Sequence, residues 1–213
     1  MSNLIQHIQR LELDGSHSEI ISIPNAFCCE QIFRFMTYLH SINDWKTGQT
    51  TFGSGEVPRL QKWFHRELKP FTTCWRQQFV DRWQAHLYES TLSKIQNEIL
   101  ETVQQFLPEI EPKEFNSMLL NRYRSGLDSI KPHQDSVPEF GENPTVICVS
   151  LGETRTIVFS RIDSKEEEPL EIPLESGSIL VMKGSTQKYY RHGIPKTSQE
   201  VGERFSLTIR RHR

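Results

Sequence analysis

The chain has 213 residues, of which 36% are hydrophobic and 24% charged, and its formal net charge is −2. This is the composition of one water-facing globular domain, long enough to bury a sizeable core and short for two, and it excludes collagen, coiled coil and bulk disorder. No apolar run is long enough to span a bilayer, and Met1 to Ile20 shows no basic-then-apolar leader. The expectation is an intracellular protein, cytoplasmic or nuclear, with no membrane partner. Cys28, Cys29, Cys74 and Cys148 form no CxxC pair, so neither a disulfide framework nor a zinc ribbon is expected, and all four read as small buried hydrophobes.

The first half is helical where it is regular. Ile32, Phe35, Met36 and Leu39 recur at helical spacing, Cys28 to Ser41 holds no Pro or Gly, and Asn25 stands upstream as a cap. Thr47 to Pro58 is rich in Gly, Ser and Thr and leads into a basic stretch from Val57 to Arg82, with six basic residues against Glu67 and Asp81. Trp63, Phe64, Phe71, Trp75 and Phe79 are interleaved there. The whole reads as a long functional loop, a mixture that suits a polyanion backbone with stacking bases; a solvated face over an aromatic core is the alternative. Leu92, Ile95, Ile99, Val103 and Phe106 then mark a second helix from about Ser90 to Leu107, stopped by Pro108.

From Phe115 the texture turns to short β-branched and aromatic runs between Gly, Pro and Asn turns. Strands are predicted at Phe115–Tyr123, Ile130–His133, Thr145–Leu151, Arg155–Ser160, Leu170–Pro173, Ser178–Met182, Tyr189–His192 and Arg204–Arg210, with an acidic hairpin tip at Asp163–Pro169. None of the gaps fits a helical crossover, so a jelly roll or barrel is expected instead of a parallel sheet.

No GxSxG, Walker, GxGxxG or HExxH pattern occurs. The surviving candidate is His133-Gln134-Asp135, with His192 near the end of the strand region. Residues i and i+2 of a strand share a face, so His133 and Asp135 can offer an imidazole and a carboxylate to one ion, with a third ligand from another strand. Two histidines and one carboxylate leave positions open, as non-haem Fe(II) requires for a co-substrate and dioxygen. In Arg204 to Arg210, Arg204, Ser206, Thr208 and Arg210 alternate with Phe205, Leu207 and Ile209. The polar face points either to solvent or into the barrel mouth, where arginines need an anion such as a dicarboxylate.

These motifs, Asn121-x-Tyr123, His133-x-Asp135, His192-Gly193-Ile194-Pro195-Lys196 and Arg204-x-Ser206-x-Thr208-x-Arg210, in this order and spacing, resemble the AlkB family of Fe(II)- and 2-oxoglutarate-dependent dioxygenases. Pro58-Arg59-Leu60-x-x-Trp63-Phe64 resembles the family's segment upstream of the barrel. The resemblance implies an α+β, mainly β fold: a double-stranded β-helix (jelly roll) core with N-terminal flanking helices. It implies a single dioxygenase domain over residues 1–213, with 1–114 carrying helices and the substrate-recognition segment and 115–213 the catalytic core. His133, Asp135 and His192 would ligate Fe(II), and Arg204 would hold the distal carboxylate of 2-oxoglutarate. Asn121 and Tyr123 would hydrogen-bond the co-substrate, with Arg210 near its chelating end. Ser206 stands where the family often has Asn. The family's acid just after the metal-binding Asp is replaced by Ser136, Val137 and Pro138, with Glu139 as a stand-in. Oxidative N-demethylation of a base in single-stranded or flipped-out DNA or RNA is implied, with Arg59 and Lys62 near phosphates and Trp63 or Phe64 stacking. Hydroxylation or demethylation of a protein or small molecule, and a non-catalytic nucleic-acid-binding barrel, remain alternatives.

Overall fold

The computed structural model describes residues 9–13, 17–48, 56–72, 83–164 and 167–213. Phe52-Gly53-Ser54-Gly55, Cys74, Trp75, Arg76, Phe79, Asp81 and Arg82 lie outside the described residues, as do two residues of the acidic tip. In chain order the elements are β1 (Gln9–Leu13), β2 (Ser18–Ile23), α1 (Cys29–Ser41), β3 (Leu60–His65), β4 (Ala85–His86), α2 (Ser90–Phe106), β5 (Ser117–Tyr123), β6 (Ile130–His133) and α3 (Val137–Phe140). They continue with β7 (Val146–Gly152), β8 (Arg155–Arg161), β9 (Leu170–Leu174), β10 (Ser178–Gly184), α4 (Thr186–Tyr189), β11 (Tyr190–Ile194) and β12 (Arg204–Arg210).

Two sheets result, one of eight strands in the order β1-β2-β10-β7-β12-β5-β3-β4 and one of four in the order β6-β11-β8-β9. The period-2 pattern of the strands explains the layering. In β12, Phe205, Leu207 and Ile209 face the same way as Ile147, Val149 and Leu151 of β7 and Ile179 and Val181 of β10, and pack under α1 and α2. The opposite face of the large sheet, with Ile20, Val146, Cys148, Leu180 and Met182, meets Ile157, Phe159, Ile172 and Leu174 of the small sheet. Every central strand of the large sheet is therefore buried on both faces, and the space between the sheets is where a ligand can sit. This is the jelly roll, with helices on one side.

The eight expected strands are present within a residue or two of their predicted ends. The helices are too, with two corrections of detail. The α1 cap is Cys28, whose N–H donates to Gln31 Oε1 at 2.9 Å, while Asn25 sits upstream in a turn at φ 51°. Cys28 and Cys29 are exposed, and only Cys148 of the described cysteines is buried.

The larger difference is that residues before 115 also build the sheet. β2 pairs with β10, aligning Ile20 with Met182, and β3 pairs with β5, aligning Trp63 with Leu119. Without these partners β10 and β5 would present open edges. The division at 114/115 thus does not separate helices from strands, and part of the stretch read as a long loop is the inner strand β3.

Candidate metal centre and co-substrate pocket

β6 and β11 run antiparallel with His133 opposite His192. Gly193 permits this closeness: a Cβ there would lie 2.7 Å from Ile130 O and 2.9 Å from Pro132 N, both backbone atoms of β6. The imidazole rings are 4.4 Å apart between centroids. Asp135 follows two residues after His133, and one ligand atom from each of the three lies within 4.8 Å of the others. The loop carrying Asp135 is tied to α4, because Asp135 N–H donates to Gln187 Oε1 at 2.8 Å and Gln134 Nε2 donates to Gln187 O at 2.6 Å.

The electrostatics of the cluster suit a cation. Burial, reinforced by the other imidazole, pushes His192 down to about 3, and burial also lowers His133, so both rings are neutral and offer lone pairs. His133 Nδ1 lies 3.0 Å from Lys131 O, which makes Nδ1 the donor and leaves Nε2 as the ligand atom. Burial opposes ionisation of Asp135, but the charge and hydrogen bonds of the Arg210 guanidinium outweigh it and hold the carboxyl below its ordinary range. Arg210 grips Asp135 through Nε to Oδ2 at 2.6 Å and Nη2 to Oδ1 at 3.0 Å. His192 Nδ1 is buried without a hydrogen-bond partner. Two neutral imidazoles and a carboxylate on one spot are the donor set of a divalent metal with open positions, so the residues fit Fe(II).

The anion side of the pocket lies along β12. Arg204 is 0% exposed, and its Nη2 donates to Ser150 Oγ at 2.8 Å. Its Nε and Nη1 have no partner, and no carboxylate pairs with it among the described residues. The guanidinium lies 5.1 Å from the Tyr123 ring centre. Arg155 stands nearby, spent on Ser125 O, Asp128 O and Pro195 O. Burial and, next, the Arg204 charge lower its pKa. A buried guanidinium with orphan N–H groups beside a second cation calls for an anion, and a terminal carboxylate of 2-oxoglutarate has the right chemistry. Arg210 Nη1, also orphaned, lies at the metal end. Asn121 Oδ1 accepts from both Arg59 Nε at 3.0 Å and Gln61 Nε2 at 2.9 Å, which fixes the amide and leaves Nδ2 as its donor to a ligand. Ser206 is buried on the same face, its Oγ 3.2 Å from Thr208 Oγ1.

These groups surround one cavity of about 510 Å³, lined by Asn121, Tyr123, His133, Asp135, His192, Ser206 and Arg210 together with Arg59, Phe71, Trp83 and Ser136. Arg204 sits behind Tyr123.

The expected substrate residues are distributed differently. Arg59 is in the cavity instead of on a phosphate-facing surface, bound to Asn121 and to Ser129 O at 3.0 Å. Lys62 is on the opposite face of β3, its Nζ donating to Asn43 O at 2.8 Å. Phe64 is buried among the helices. Trp63 is 0% exposed, packs with Trp83, Leu119 and Phe140, and donates Nε1–H to Lys69 O at 3.0 Å. Neither ring presents a stacking platform, because adjacent residues of an inner strand point into two different cores. Glu139 accepts from the Ser136 hydroxyl and is not among the cavity-lining residues, whereas Ser136 is. The aromatic wall that does line the cavity is Phe71 stacked on Trp83, with ring centres 4.2 Å apart. Trp83 and Gln187 carry no signal in the sequence that marks them out, whereas Gly193 stands inside the His192-Gly193-Ile194-Pro195-Lys196 motif.

The sequence pattern of the 2OG-Fe(II) oxygenase superfamily runs over residues 20–210. The chain belongs to this superfamily. Its cofactor set is Fe(II), 2-oxoglutarate and dioxygen, and within it this chain is of the AlkB family. It is 34% identical over 119 residues to the human alpha-ketoglutarate-dependent dioxygenase alkB homolog 3, covering 53% of this chain and 42% of that protein. It is 30% identical over 119 residues to the human DNA oxidative demethylase ALKBH2, covering 53% and 46%. The matched segments thus span less than half the length of these relatives. The solved structure of OsALKBH1 superposes with a TM-score of 0.64 at 17% identity, over 96% of this chain and 100% of that one, a likeness of fold. Among the described residues no helix is long and apolar enough to cross a membrane.

Proposed function

We propose that the chain is an oxidative N-demethylase of nucleobases, coupling loss of the methyl group to conversion of 2-oxoglutarate into succinate and CO₂. The observation that carries this reading is the His133, Asp135 and His192 cluster sharing one cavity with the unpartnered Nη1 of Arg210 and an aromatic wall, with the orphaned Arg204 guanidinium behind Tyr123. His133, Asp135 and His192 would hold Fe(II), and Arg204 the distal carboxylate of 2-oxoglutarate. Asn121, Tyr123, Ser206 and Arg210 would complete its contacts. Bound Fe(II) with 2-oxoglutarate and dioxygen supplies the oxidation of an N-methyl carbon, whose product releases formaldehyde.

The chain's own residues do the positioning. Arg210 keeps the Asp135 carboxylate oriented and ionised. Gln187 holds the backbone of Asp135, and Gly193 lets β6 and β11 close on one another. A cavity of about 510 Å³ falls within the size class of small-molecule sites, so it has room for a base beside a co-substrate. Phe71 and Trp83 offer that base a π surface, and Arg59, held at Asn121, adds positive charge beside it. A base inside a duplex is out of reach, so the substrate is single-stranded or flipped out. The relatives named above, one of them a DNA oxidative demethylase, support this class of substrate.

Hydroxylation or demethylation of a protein or small molecule draws on one observation: Lys62, Trp63 and Phe64 do not form a surface for a nucleic-acid strand. The two readings separate on a single-stranded oligonucleotide carrying 1-methyladenine. The first expects formaldehyde from wild type and none from Asp135→Ala or His192→Ala. Formaldehyde from the variants at the wild-type rate would remove the metal assignment, and none from wild type despite succinate production would favour the second reading.

A further inference from the structure

Cys148 is a nucleophile inside the co-substrate pocket for which the proposed reaction has no use. Its side chain is on the cavity face of β7, 8% exposed, and lines the cavity. Sγ is 3.5 Å from Ser206 Oγ and 4.0 Å from Thr208 Oγ1. In register Cys148 lies opposite Thr208, and Ser150 opposite Ser206. Ser150 is the next residue of β7 on the same face, and its hydroxyl accepts a hydrogen bond from Arg204 Nη2 at 2.8 Å. The thiol is therefore two residues of strand, about 7 Å, from the residue that anchors the anion-binding guanidinium. Arg204 Nε and Nη1 are fully buried and unpartnered, and so is Arg210 Nη1 on the other side of the thiol along β12. The cavity thus presents a thiol beside the unpartnered Nη1 of Arg210, with the free donors of Arg204 behind the Tyr123 ring at the other end of the strand.

We propose that Cys148 is a covalent modification site for unsaturated dicarboxylates, and that the adduct shuts out the co-substrate. The proposal rests on the reading that Arg204 receives a dicarboxylate. A four-carbon unsaturated diacid with one carboxylate on Arg204 would lie along the strands from Ser150 towards Cys148, the next residue of β7 on that face, which brings its double bond towards Sγ. The step is a conjugate addition. The thiol gives its proton to cavity water, and sulfur forms a bond to one alkene carbon. The π pair moves to the other alkene carbon, beside its carboxylate, and that carbon takes a proton. No group leaves and nothing is oxidised or reduced. The product is a thioether bearing a succinyl arm whose carboxylates occupy the arginine donors. The thiol is reached through the cavity it lines, beside the Arg210 guanidinium, and an electropositive setting is one in which protein thiols react selectively.

The test treats the full chain, loaded with Mn(II) under nitrogen, with fumarate, and maps adducts by peptide mass. The expected result is one added fumaric acid on Cys148, formed ahead of any on the exposed Cys28 and Cys29. 2-Oxoglutarate or succinate should suppress it as their concentration rises. Arg204→Met should slow it by about tenfold or more, and Arg204→Lys, which keeps a charge and packs in place of the original chain, should slow it less. Equilibrium dialysis with labelled 2-oxoglutarate runs alongside. Saturable 2-oxoglutarate binding with Cys148 unlabelled, or with labelling that 2-oxoglutarate fails to suppress, overturns the proposal and leaves the co-substrate reading standing. Absence of both binding and labelling overturns both.

Discussion

Replacing Arg210 by Met keeps most of the aliphatic volume and deletes the guanidinium that meets Asp135 through two hydrogen bonds of 2.6 and 3.0 Å. Both partners are nearly inaccessible, with side-chain exposures of 6% and 5%. Breaking such a buried pair from one side leaves a carboxylate without compensation and costs about 3–5 kcal/mol. In a domain of this size that lowers Tm by about 6–20 °C in the metal-free protein. A divalent ion on the His133, Asp135 and His192 cluster supplies the missing positive charge to the same carboxylate. Mn(II) should therefore raise the Tm of Arg210→Met more than that of wild type and narrow the gap between them. Differential scanning fluorimetry with and without Mn(II) measures this directly. A gap that Mn(II) leaves unchanged would refute the idea that the ion and Arg210 share Asp135, and a metal-free variant as stable as wild type would refute the buried-pair argument.

Four further outcomes are expected. Arg204→Ala should raise the KM for 2-oxoglutarate far more than that for oligonucleotide, and steady-state kinetics showing equal effects would contradict its role. Gly193→Ala forces backbone atoms of β6 away from contacts of 2.7–3.0 Å, so it should cost about 1–3 kcal/mol and weaken Mn(II) binding in calorimetry. Trp63→Ala should destabilise the fold by about 3–5 kcal/mol in urea titration, because the ring is 0% exposed, without a selective loss of nucleic-acid affinity. His65 is pushed down to about 4 by burial, His212 and Lys69, and its Nδ1 accepts the Glu67 N–H at 2.9 Å, which requires the neutral ring. The unfolded chain binds this proton more readily, so the contribution is complete above about pH 6.5 and is lost as pH falls towards about 4, by up to about 3 kcal/mol; His65→Gln should flatten that slope in denaturant titrations.

The legible and illegible parts of this protein divide along a physical line. The strands after residue 115 show in the sequence because alternation and turn residues are local. His133 and Asp135 show because a two-residue spacing fixes a shared face whatever the strand pairs with, and the alternation of Arg204 to Arg210 works the same way. What stays hidden depends on partners distant in sequence. β2 is a strand because β10 needs a neighbour, and Ile20 meets Met182 across most of the chain. Trp63 and Phe64 look like a surface pair because nothing local says that β3 is covered on both faces. Arg59 looks like a phosphate contact because its partners, Asn121 and the Ser129 carbonyl, arrive from β5 and the loop that follows it. Glu139 looks like a replacement acid by proximity, and the one-turn helix α3 turns it to the Ser136 hydroxyl instead.

An N-demethylase couples turnover of the co-substrate to loss of the methyl group. The direct measurement loads the protein with Fe(II) and 2-oxoglutarate without oxygen, admits oxygen in the presence of a 1-methyladenine-containing single-stranded oligonucleotide, and quantifies succinate and formaldehyde together. Equal yields of the two, both lost in His192→Ala, are the predicted result. Succinate that forms without formaldehyde, at a rate indifferent to the oligonucleotide, would contradict the demethylase assignment.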